Sequence, residues 1–216
     1  MATSGELCVA TAKALGISFE ATREHLRHIR RAGMISFKGH GRGAATMTTL
    51  DASRLLIAAA GSSFVKDSVE TLEEFGSLQS LAADKPVRGS AVVERPSRVA
   101  FEKYLAEMIQ RLIDEKDQLP SAYRRPLKDA KLIGCIALSL VSVVSASSKH
   151  FPRLAIVRRF TTTGVGAVSF ASPKWSTPVM NVTEYALQFP GVGLVQTRDV
   201  PAWTLAEIAH ALAEST

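Results

Sequence analysis

Cysteine is nearly absent from this chain. Its 216 residues include two, Cys8 and Cys135, each inside an apolar run. Two isolated thiols cannot build a disulfide framework and do not lie at zinc-ligand spacing, so they read as buried thiols in a reducing cytoplasm. A secretory leader is not expected, because MATSGEL offers no basic stretch followed by an apolar one. Long hydrophobic runs are also scarce. The uncharged stretch 132–148 (LIGCIALSLVSVVSASS) is short for a membrane-spanning helix and ends in serines. Its β-branched content and the alternation in ALSLVSVVS predict a buried strand, so no membrane partner is expected.

Catalytic signatures are missing too. There is no GxSxG and no conspicuous carboxylate pair, and His150 and His210, in a turn and on a helix, read as surface or core histidines. The glycine-rich GHGRGAA is followed by threonine-rich extended sequence, whereas a nucleotide-binding loop opens a helix. The expectation is a non-enzymatic protein with no cofactor and no metal site.

Positive charge is what the chain does have. The formal net charge is +6, and residues 1–50 hold seven Lys/Arg against three Glu. Residues 51–100 hold six basic against seven acidic. The basic excess therefore sits in the N-terminal quarter, which is where a polyanionic partner would be met.

That quarter has an internal order. Residues 6–15 have helical spacing, with Leu7, Ala10, Ala14 and Leu15 on one face, and Gly16 supplies a tight exit. Ser18 can cap a second helix over 19–32, whose Thr22, Leu26 and Ile29 form an apolar stripe and whose end is marked by Gly33. The remaining faces carry Glu20, Arg23, Glu24, Arg27, His28, Arg30 and Arg31. Docked by its stripe, such a helix presents its N-terminal half and four arginines outward, as a recognition helix does in a major groove.

Position assigns the roles. Phe19, Glu20 and Arg23 are candidates for base edges: arginine matches guanine O6 and N7, and glutamate accepts from cytosine N4. Arg27 can reach a base or a phosphate, and the late Arg30 and Arg31 suit phosphates. A hairpin of 34–38 and 45–48 with the tip GHGRG (39–43) follows, carrying Lys38, His40 and Arg42 toward a minor groove or flanking phosphates. Thr48 and Asp51 have capping-box spacing for a third helix with the stripe Ala52, Leu55, Leu56 and Ala59, ended by Gly61.

The runs ATAKALGISFEATREHLRHIRRAGMI and GHGRGAATMTTLDASRLLIA resemble the winged helix-turn-helix proteins of bacteria and their phages. Within that group they are similar to regulators of phage and prophage gene clusters. The likeness covers roughly residues 4–62. It implies DNA binding by Phe19 to Arg31 and by the tip around Arg42; Ser18 is a further candidate contact. Ala21 and Thr22 stand where such helices often carry Thr and Val, which removes a hydroxyl suited to a phosphate contact.

Beyond residue 62, 65–78 reads as an amphipathic helix with acids on its outer face, and 79–97 as a linker or long loop. Ser97 is expected to cap a helix over 98–114 with the stripe Phe101, Leu105, Met108, Ile109 and Leu112. Strands are predicted at 133–144, 154–161, 166–171 and 193–197, and Thr204 with Glu207 is expected to cap a closing helix.

The predicted class is α+β: an N-terminal winged helix-turn-helix (1–62), a helical connector (63–130), and a C-terminal antiparallel sheet with a closing helix (131–216) for dimerisation or partner contact. The expected function is a cytoplasmic transcription regulator bound to double-stranded DNA as a homodimer. Two alternatives share the same fold. One is a phage-type DNA-packaging or structural adaptor. The other is an RNA-polymerase-associated factor such as an antiterminator, touching polymerase through the acidic 67–74 face or the sheet.

Overall fold

A computed structural model describes residues 2–37, 46–81, 99–115, 120, 123–124, 136–145, 153–161, 164–172 and 192–214. In order, the elements are α1 (Ser4–Leu15), α2 (Phe19–Arg31), α3 (Thr49–Gly61), α4 (Ser68–Gly76, entered through a 3-10 turn at Val65–Asp67), β1 (Gln79–Ser80) and α5 (Phe101–Asp114). There follow β2 (Ile136–Ser145), β3 (Arg153–Thr161), β4 (Gly164–Ala171), β5 (Val192–Pro201) and α6 (Ala202–Glu214). The class is α+β, with one antiparallel sheet in the order β1-β4-β3-β2-β5. No described helix is long and apolar enough to cross a membrane.

Capping chemistry fixes where the N-terminal helices begin and end. Thr3 and Glu6 form a capping box that starts α1, two residues ahead of the predicted start at Glu6. Gly16 stops α1 in the left-handed region at φ 68°, where a side chain would be strained. Ser18 Oγ accepts from Ala21 N–H at 3.1 Å and caps α2, which starts at the next residue, Phe19. Gly33, at φ 74°, turns the chain out of α2.

The third helix differs from its expected one-sided form. Beyond the stripe Ala52, Leu55, Leu56 and Ala59, the side chains of Asp51, Ser53, Ile57, Ala58 and Ala60 are also buried. A helix apolar nearly all round belongs inside a core, and α3 touches α1, α2, α4, α5, α6 and β5. It is the centre of the molecule. At its end the backbone comes so close to α4 that a Cβ on Gly61 would lie 2.8 Å from Thr71 Cγ2. One cluster of buried side chains runs from Leu7 and Ile29 through Leu56 and Phe101 to Leu138 and Ile208.

The predicted strands are found in nearly the predicted places, with β5 running four residues further, to Pro201. Leu138, Leu140, Ala155, Val157, Phe170 and Val200 face the helices. On the other face Val141, Leu154 and Ile156 are buried as well, which is why 136–145 carries so few polar side chains. The stripe of α5 is entirely buried, with Phe101 and Tyr104 against Phe170 at ring distances of 5.3 and 5.1 Å.

Three boundaries move. Gln79–Ser80, expected in a linker, adds a strand beside β4. The fifth helix starts at Phe101 behind Ala100, with no side-chain cap. Ser97 lies outside the described residues. Thr204 and Glu207 do not cap α6, which begins at Ala202. Instead Thr204 Oγ1 donates to the Ala14 carbonyl at 3.2 Å, and Glu207 pairs with Lys13 at 3.1 Å. These residues fasten the last helix to the first.

Arg198 of β5 makes a second long-range tie. Its guanidinium donates to the Ala60 and Ser62 carbonyls at 3.4 and 2.7 Å and to Ser63 Oγ at 3.2 Å, satisfying the end of α3. A cation at a helix C-terminus is favoured by the free carbonyls and the helix dipole. Arg198→Ala is expected to cost about 2 kcal/mol, read as a fall in urea-unfolding free energy. A change below about 0.5 kcal/mol, the scale of an ordinary surface substitution, contradicts this assignment.

Candidate nucleic-acid interface

α1, α3 and α4 hold α2 by its buried side. Thr22, His25, Leu26 and Ile29 point inward, and Leu26 and Ile29 join the same core as Leu7, Cys8, Leu55 and Leu56. Of these four, Thr22, Leu26 and Ile29 were legible from helical spacing. The Thr22 hydroxyl donates to the Ser18 carbonyl at 3.1 Å, which satisfies a polar group inside the first turn.

The opposite side of α2 is a charged row. Ser18, Phe19, Glu20, Arg23, Arg27 and Arg31 are exposed. Arg23, Arg27 and Arg31 recur every four residues and so follow one another along about 12 Å of helix. Arg27 pairs with Glu24 at 3.1 Å, but with these side chains 52% and 40% exposed the pair is worth only tenths of a kcal/mol. It can be exchanged for another anion at little cost.

Arg30 is placed differently from the other arginines. It is half-buried and lies over the Phe37 ring, 5.4 Å from its centroid, and its Nε is buried with no hydrogen-bond partner among the described residues. It braces the chain leaving α2 through this contact. Residues 34–37 and 46–48, expected as hairpin arms, belong to no strand. They are held otherwise: Ser36 N–H donates to Asp51 Oδ1 at 2.9 Å, and Met47 N–H to the Ala2 carbonyl at 2.9 Å. Lys38, His40 and Arg42 lie outside the described residues.

Sequence reasoning missed His25. It sits beside Leu26 on the inward side, a position the spacing of Thr22 and Ile29 could have flagged. Its Nδ1 is 2.8 Å from Ser68 Oγ. The Ser68 hydroxyl donates to the Val65 carbonyl, so its oxygen is left to accept, and the imidazole proton belongs on Nδ1. This bond ties α2 to the start of α4. Burial, then His28 and Arg198 nearby, hold the His25 pKa below its ordinary 6.5. A histidine that resists protonation when folded subtracts stability once the unfolded chain takes up its proton. The penalty is absent above about pH 7 and grows as pH falls through 6.5. Between pH 7 and 5 the melting temperature of the wild-type chain is expected to fall more than that of His25→Asn, whose amide can replace Nδ1–H. Parallel melting curves across that range contradict it.

Cys8 lies on the inward side of α1, and burial pushes its thiol up to about 11 despite the pull of Arg30 and Arg23. It is a neutral packing group. Among the described residues no three His, Cys, Asp or Glu side chains are grouped to hold a metal ion. The acidic face expected on α4 is partly engaged, since Glu74 Oε2 accepts from Arg153 Nε at 2.6 Å beneath the same guanidinium's contact with Phe75. Comparisons with protein-family models, curated proteins and solved structures give no match for this chain.

Proposed function

We propose that this protein is a non-enzymatic, sequence-specific DNA-binding transcription regulator of the phage or prophage type. The reading is a winged helix-turn-helix in which α2 lies in the major groove and the tip 39–43 reaches the minor groove. The carrying observation is the exposed row Phe19, Glu20, Arg23, Arg27 and Arg31 on a helix locked by its other face. A locked helix spends little ordering entropy on binding. A cationic row of this length crosses several phosphates and base edges. Glu20 and Arg23, early in the helix, read bases; Arg27 and Arg31 neutralise phosphates.

The protein acts as a homodimer on a two-part site, which adds a second recognition helix and widens the sequence read. The test is retention of duplex DNA, both the chain's own upstream region and a random-sequence pool, at low salt. Enrichment of one motif with two half-sites, and affinity that falls steeply with salt, support the reading. Retention of no duplex, or retention without sequence preference, refutes it.

A further inference from the structure

Phe19 opens α2 with 37% of its surface exposed, and Ile17 just before it is 36% exposed. Exposed large apolar side chains are few among the described residues, and two of them stand together at the end of a helix whose outer row is otherwise charged. Both lie at the N-terminal edge of the helix, off the inward side, which is filled by Thr22, His25, Leu26 and Ile29.

Resting on the DNA reading above, we propose that Phe19 is a specificity-determining residue that recognises the C5-methyl group of thymine. The major groove offers one apolar group on its floor, the thymine methyl, and a phenyl ring is among the side chains suited to it. Arg23 follows Phe19 by four residues, about 6 Å along the helix. That spacing matches about two base steps of 3.4 Å. The thymine read by Phe19 therefore lies within about two base pairs of the guanine read by Arg23. The charge of Arg23, Arg27 and Arg31 selects duplex DNA as the occupant of this apolar end in preference to a protein surface.

The experiment uses the full chain and the best duplex recovered from a random pool. Each thymine is replaced in turn by deoxyuridine, which lacks only the methyl, and affinity is read by fluorescence anisotropy. At one thymine per half-site the wild-type chain is expected to lose about fourfold, the worth of one buried methyl group. Phe19→Ala should bind thymine and deoxyuridine duplexes equally, while still requiring the guanine. Phe19→Leu, which keeps an apolar side chain, should retain part of the discrimination and guards against a misfolded alanine variant. Wild-type indifference to deoxyuridine at every position overturns the inference and leaves the DNA reading standing. So does an unchanged penalty in Phe19→Ala. Failure to recover any duplex overturns both.

Discussion

Asp51→Ala is expected to destabilise the protein by about 3 kcal/mol, the largest effect predicted for a single polar side chain. Asp51 is 2% exposed. Its Oδ1 accepts from Ser36 N–H at 2.9 Å, and its Oδ2 from Thr48 N–H at 2.9 Å and the Thr48 hydroxyl at 2.8 Å. Removing the carboxylate orphans three donors in a part-buried place. Each hydrogen bond to a charged group contributes about 1.5 kcal/mol or more, and their shared acceptor keeps the losses from adding fully. Asp51→Asn should cost less, since one oxygen survives as an acceptor while the amide nitrogen cannot accept. Urea unfolding of both variants checks the order Ala worse than Asn. Equal, sub-kilocalorie losses would show that these bonds are not what holds the two ends of segment 36–48.

The second large effect concerns binding alone. Replacing Arg23, Arg27 and Arg31 together by alanine is expected to leave the melting temperature within about 2 °C of wild type, because exposed substitutions change stability by about 0.5 kcal/mol or less. Duplex affinity at about 0.1 M salt should fall by at least about 100-fold. Each arginine contributes either a base contact worth about 1–3 kcal/mol or a phosphate contact that releases counterions. The single changes should separate by role. Arg23→Ala relaxes sequence preference, whereas Arg31→Ala weakens all duplexes alike and lowers the salt slope by about one. Anisotropy titrations at several salt concentrations read all of this. Unchanged affinity in the triple variant assigns the binding, if any, to another surface.

Much of the fold was legible because local chemistry announced it. Ser18 and the pair Thr48–Asp51 cap the helices expected of them, and the apolar stretches around 138, 156 and 168 became β2, β3 and β4. What escaped was tertiary. Nothing in Gln79–Ser80 distinguishes a two-residue strand from a loop; its partner β4 decides. Thr204 and Glu207 have the spacing of a cap, but an earlier helix start at Ala202 and the proximity of α1 gave them other partners. The near-complete burial of α3 comes from α4 and α5 packing against it, with α1, α2, α6 and β5 adding smaller contacts, and no periodicity within residues 49–61 predicts the neighbours distant in sequence.

The candidate interface was legible to a similar degree. Helical spacing separated the exposed Phe19, Glu20, Arg23, Arg27 and Arg31 from the buried Thr22, Leu26 and Ile29. It could not place Arg30, which sits at the border of the two sides and is claimed by Phe37. Nor could it find the partner of His25, which comes from 43 residues away.

The central claim is that the outer row of α2 meets DNA. The most direct measurement is an amide NMR titration of the full chain with its selected duplex. The largest shift changes are expected over residues 18–31, smaller ones across 36–48, and little change in the strands 136–145 and 153–161. Changes concentrated in the sheet, with 18–31 undisturbed, would contradict it.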